Sequence, residues 1–137
     1  MSGIEVVGTC GFYRPAGFMT FPQAVDFVAE ALKHARRRGL ADILVNTSQM
    51  GGFEPPCTIE RYAMITRWVE SAGNGLRIAI VARAAFIDPQ KIGTVIAQNR
   101  GVSIEAFTDE GSALHWLDAR RTRSGSPRSV RSHAAGY

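Results

Sequence analysis

Apolar positions along this chain keep two different rhythms, and the rhythm switches several times between the ends. Ile4–Val7 and Cys10–Arg14 are short β-prone runs on either side of Gly8-Thr9, a spacing that predicts a hairpin. Pro15-Ala16-Gly17 then breaks the pattern. From Thr20 the period lengthens: Ala24, Phe27, Val28, Ala31, Leu32 and Ala35 recur at helical spacing and predict one stripe facing a core. Thr20 stands at the N-cap, Pro22 suits the first turn, and Gln23 completes a capping box. Lys33, His34 and Arg36-Arg37-Arg38 take the other side and the last turn, where cations suit the helix dipole, and Gly39 marks the stop.

The alternation continues to the closing helix. Asp42-Ile43-Leu44-Val45-Asn46 is an apolar run bounded by turn signals and predicts a central buried strand. A helix over Thr58–Ala72 would turn Ile59, Tyr62, Ala63, Ile65, Thr66 and Val69 inward, ending in Gly73-Asn74-Gly75. Arg77–Ala82 predicts a second buried strand. Asp88-Pro89 opens a third helix with Ile92, Val95 and Ile96 as its inner face and Asn99-Arg100-Gly101 as its stop. A strand over Val102–Thr108 and a helix through Leu117 close the series. Strands alternating with helices after a hairpin predict an α/β fold: a small mixed, mostly parallel sheet of four or five strands with about four helices. There is no internal repeat.

Length and composition narrow this picture. A chain of 137 residues with 45% hydrophobic content has the size for one domain with its own core, without metal or disulfide staples. No apolar stretch approaches the ~20 residues that a membrane-spanning helix needs. The N-terminus lacks the basic and apolar segments of a secretory signal. Two cysteines, Cys10 and Cys57, make no disulfide framework, so a reducing cytoplasm is the expected compartment.

Charge is unevenly placed. Sixteen bases against twelve acids give a net charge of +4, yet Arg120, Arg121, Arg123, Arg128 and Arg131 supply five of the bases and no acid follows Asp118. Residues 1–118 therefore hold eleven bases and twelve acids, a net charge of −1. The expected division is a domain over 1–118 and a flexible Arg/Ser-rich tail over 119–137, whose Val130 is too little apolar surface to offset ordering entropy. Nucleic acid would be engaged weakly, through that tail alone, because the body is near neutral.

One connection carries the candidate chemistry. Thr47 to Cys57 is long for a strand-to-helix link, and it leaves the carboxyl end of a central strand, where α/β sheets place ligands. Gly51-Gly52 permits unusual backbone angles, and Pro55-Pro56 stiffens the approach to the next helix. Ser48, Met50, Phe53, Cys57, Thr58, Arg61 and Phe86 are the candidate ligand- or partner-binding residues, with Arg67 adding charge from the same helix. Cys57 stands at a helix start, a position that activates thiols, but no His or Asn accompanies it as a base. Thr58 is most simply an N-cap, and alternatively a phosphate acceptor. His34, His115 and His133 show no metal-ligand spacing, and no phosphate-binding loop, dinucleotide fingerprint, nucleophile elbow or zinc-protease motif occurs. No metal or cofactor is expected.

The run Gly39–Asn46, the strand Arg77-Ile78-Ala79-Ile80-Val81, and the closing Phe107-Thr108-Asp109-Glu110-Gly111-Ser112-Ala113-Leu114-His115-Trp116-Leu117 resemble the SpoIIAA-like family of the STAS and CRAL-TRIO type. Members commonly close with a strand, an acidic turn and an Ala-x-x-Trp-Leu helix. The resemblance spans residues 4–118 and rests largely on a packing signature. It implies a four- or five-stranded sheet with helices mainly on one face, in a group that includes phosphorylation-switched anti-sigma-factor antagonists and domains enclosing apolar ligands. The antagonists carry their serine in an Asp-Ser-Ser-Gly-like turn at the second helix; Pro55-Pro56-Cys57-Thr58 departs from it, leaving Thr58 as the hydroxyl at that place.

The leading expectation is a non-enzymatic binding or regulatory module acting through 47–58 and the adjacent strand ends. Its occupant would be an unknown protein partner, a homodimer mate, or a small apolar ligand or lipid. The rival is a small enzyme using Cys57 or the Glu54 and Asp88 carboxylates.

Overall fold

A computed structural model describes residues 3–88 and 91–125. The hairpin forms as expected: β1 (Ile4–Val7) pairs antiparallel with β2 (Cys10–Tyr13) in the register Ile4 to Tyr13. A third strand, β3 (Ala16–Phe18), follows where the sequence predicts only a break. Helix α1 (Phe21–Arg37) begins with the expected capping box: Gln23 N–H donates to the Thr20 hydroxyl, and the Gln23 side chain accepts from Thr20 N–H at 2.9 Å. Then come β4 (Asp42–Asn46), β5 (Gln49–Gly51), α2 (Thr58–Ala72) and β6 (Arg77–Val81). A 3-10 turn at Ala84–Phe86, α3 (Ile92–Asn99), β7 (Ser103–Phe107) and α4 (Glu110–Gly125) complete the order.

The main sheet has five strands in the order β1-β2-β4-β6-β7, parallel from β2 onward. From β2 to β7 the chain steps across the sheet in one direction. Crossovers of one hand that all step the same way place their helices on one face. That is where α1, α2 and α3 lie, packed on Ile43, Val45, Ile78, Ile80 and Ile104. Helix α4, which follows the last strand, covers the opposite face through Ala113 and Leu117 against Leu44, Ala79 and Val81. Alternate residues of β4 and β6 thus enter two separate cores, which explains why both runs are apolar throughout.

Several expectations need correction. Segment 47–57 is not a plain loop, because β5 lies inside it and pairs in parallel with β3, Ala16 opposite Gln49 and Phe18 opposite Gly51. This two-stranded strap stands apart from the main sheet. Phe27 faces out (44% exposed), and Ala29 is buried instead. On α2, Ile59 and Tyr62 are exposed (81% and 56%), while Trp68 joins Ile65 and Val69 inside. On α3, Val95 is half exposed, with Ala97 buried. Helix α4 runs on to Gly125, past the boundary at 118 read from the sequence. The rest of the expected tail, 126–137 with His133, lies outside the described residues, as does Pro89. Among the described residues, no helix is long and apolar enough to cross a membrane.

Candidate functional site

Two helix stripes and a strap build the site. The first two turns of α1 present Phe21, Ala24, Val25 and Val28, and the first three turns of α2 present Arg61, Met64, Ile65 and Trp68. Both sets follow an i, i+3, i+4, i+7 spacing, which is one helical face. Across from them lie Ile80, Ala82, Ile104 and Ala106, toward the carboxyl ends of β6 and β7. Met50 of the strap and Phe53 after it lean over the opening, with Phe86 beside them. The result is a partly open apolar cavity of about 120 Å³.

The strap is held by main-chain and side-chain bonds. Thr47 N–H and its hydroxyl both donate to the Val81 carbonyl, at 2.7 and 3.0 Å. Met19 N–H donates to Gly51 O at 2.9 Å, and Arg83 Nη2 donates to Met50 O at 3.2 Å. Three aromatic rings then interlock edge to face: Phe21 with Phe53 at 5.8 Å, and Phe53 with Phe86 at 5.6 Å. The Arg83 guanidinium lies 4.8 Å from the Phe86 ring centre.

Three polar side chains of the wall make contacts within the protein. The Trp68 indole N–H donates to Val25 O at 3.1 Å, joining α2 to α1. Arg61 Nη1 donates to Phe86 O at 3.1 Å. Lys91 Nζ stands 2.5 Å from Glu105 Oε2. The lining is mainly apolar, which favours an apolar body over ordered water inside the cavity.

Of the candidate residues, Met50, Phe53, Arg61 and Phe86 are brought together at this cavity, and Ser48, Cys57 and Thr58 are not. Ser48 turns to Asn46, donating from both its N–H and its hydroxyl to Oδ1 at 3.0 and 2.6 Å. Cys57, not Thr58, is the N-cap of α2, and its N–H donates to Glu60 Oε1 at 2.9 Å. Both Cys57 and Thr58 are exposed, as is Glu54. Arg67 is spent on Asp26 of α1 at 2.5 Å. Asp88 reaches the cavity wall together with Glu105, the latter in its ion pair with Lys91. Among the described residues no group of three or more His, Cys, Asp or Glu is placed to hold a metal ion.

Apart from Arg61, sequence reasoning missed the helical half of the site. Phe21, Val25, Met64 and Trp68 were legible as apolar helix positions, but nothing in the pattern separates a residue that packs solidly from one that borders a void. It also missed the polar cluster at the carboxyl end of β4. There Glu110 accepts from Arg14 Nε at 2.8 Å and Nη2 at 3.0 Å, and from Asn46 Nδ2 at 2.8 Å. Those bonds, Arg14 first and Asn46 second, hold the Glu110 carboxyl below its ordinary value. Arg14 is shifted upward mainly by the same bond.

Comparison with protein-family models, with curated proteins and with solved structures finds no match to the chain.

Proposed function

We propose that this protein is a non-catalytic module that binds a small apolar molecule in the cavity beneath the strap at 47–57. The observation that carries this reading is the cavity itself: about 120 Å³, walled by two helix stripes and by β6 and β7, with the Trp68 indole N–H turned to Val25 O and one Arg61 donor to Phe86 O. Sites of this kind take ligands by shape and apolar burial, with few polar groups to orient them. The occupant is small. A void of this size matches a single aromatic ring or a short branched chain rather than a long-chain lipid. A cytoplasmic setting goes with the proposal, since Cys10 in the core and Cys57 at the surface occupy separate places. So does kinship with SpoIIAA-like domains, supported by the mixed sheet with three helices on one face and by the closing unit in which Phe107 meets Trp116.

A protein-partner reading has one observation in its favour. Ile59 and Tyr62, one turn apart on α2, expose their side chains to solvent. Measurement of the mass in solution across a concentration series tests it in its homodimer form, and a monomer at all concentrations removes that form.

Native mass spectrometry of protein purified gently from its own host tests the ligand reading. A retained mass of one small organic molecule is the expected result. A bare mass, together with no movement of the Trp68 indole N–H resonance on adding millimolar benzyl alcohol, overturns it.

A further inference from the structure

We infer that the occupant carries a single carboxylate, which Arg61 holds at the cavity wall; this rests on the ligand reading above and names its chemical class. Arg61 is half-buried in the first turns of α2 and is fixed by one bond from Nη1 to Phe86 O at 3.1 Å. A guanidinium has five N–H donors in a rigid fork. Among the described residues, no carboxylate forms an ion pair with it. The other nearby cations are committed: Lys91 lies against Glu105 at 2.5 Å, and Arg83 is tied to Met50 O and laid over Phe86. The wall therefore offers one unspent fork beside an apolar space. A planar carboxylate matches such a fork with two parallel bonds.

The charge count selects against other anions. Asp88 and the Glu105–Lys91 pair also border the cavity, so a dianion such as a phosphate monoester would meet more like-charge repulsion there than a monocarboxylate. The apolar body is limited by the 120 Å³ of space to a ring or a short branched chain. An aromatic or branched short-chain monocarboxylic acid meets both conditions.

Benzoate and benzyl alcohol, alike in ring and size but differing in charge, separate this inference from the reading beneath it. Each is titrated into the full chain at neutral pH by calorimetry, with the Trp68 indole N–H as an independent reporter. Benzoate is expected to bind at least about tenfold more tightly, the scale of a charge-assisted hydrogen bond over a neutral one. Arg61→Gln should abolish that preference, so that the two probes bind alike; Arg61→Lys, which keeps the charge but not the fork, should fall between. Should Arg61→Gln fail to fold, added salt serves instead, weakening benzoate in the native chain and not the alcohol. Equal affinities in the native chain, or a preference that survives Arg61→Gln, overturn the carboxylate and leave the cavity reading standing. Failure of both probes to bind at millimolar concentration overturns both.

Discussion

At the first turn of α4, the Glu110 carboxylate gathers N–H groups from Arg14 on the segment after β2 and from Asn46 at the end of β4. The partners stand 96 and 64 residues away in sequence, so no local pattern could have announced the cluster. Its consequence is a pH dependence with a definite sign. Bonding to Arg14 and Asn46 lowers the folded carboxyl below its ordinary 4.5. The unfolded chain therefore binds the proton more readily, and folding gains from Glu110 only while the group is ionised. That gain is complete above about pH 4.5 and disappears as the pH falls through the lowered folded value. Glu110→Gln should reduce the urea midpoint at pH 7 and flatten its fall between pH 5 and 3. An unchanged slope between those pH values in the variant would show that the cluster contributes nothing to acid sensitivity.

At the scale of elements, the strap and the orientation of α2 were the parts least legible in the sequence. The long helices and central strands announced themselves: the capping box at Thr20 and Gln23, and the apolar runs at β4 and β6, each contain their own signal. Strands β3 and β5 are three residues each, below the length at which alternation can be read, and they exist because each pairs with the other. Gly52 is the joint that closes the strap. Its φ of +98° is accessible to glycine, and an added Cβ would stand 2.7 Å from Met19 O and 2.9 Å from Met19 N. Gly17, with φ +124°, has open space around it. Gly52→Ala should thus cost about 1–3 kcal/mol and displace Met50 and Phe53, while Gly17→Ala carries the dihedral strain alone. Denaturant midpoints of the two variants, with benzyl alcohol binding beside them, check this order. The orientation of α2 was ambiguous because apolar residues occupy more than one of its faces, and the exposed Ile59 and Tyr62 resemble core residues as letters. Ile59→Ser should change stability by less than about 0.5 kcal/mol. Val69→Ala, at a position 5% exposed, should cost about 2 kcal/mol.

On the scale of the whole molecule, the cavity follows from the order in which the chain visits its sheet. Strand order does not reverse between β2 and β7, so no crevice opens at a switch of direction, the usual source of a site in open α/β sheets. Instead, three helices share one face, and their first turns, together with the strap, leave space over the carboxyl ends of β6 and β7. Such a void costs dispersion energy when empty, and the fold keeps it although a larger residue at Ala24, buried in the wall of α1, would fill it. Ala24→Leu adds three carbons to the space, a gain of about 2 kcal/mol from burial. Overpacking strain of about 1–3 kcal/mol opposes it. The two nearly cancel, so the variant should unfold within about 1 kcal/mol of the native chain while its affinity for benzyl alcohol falls by about tenfold or more. Stability and binding are here expected to part company, which loss of folding could not produce. A variant that stays as stable and still binds as tightly would mean that the space beside Ala24 is not where the ligand sits.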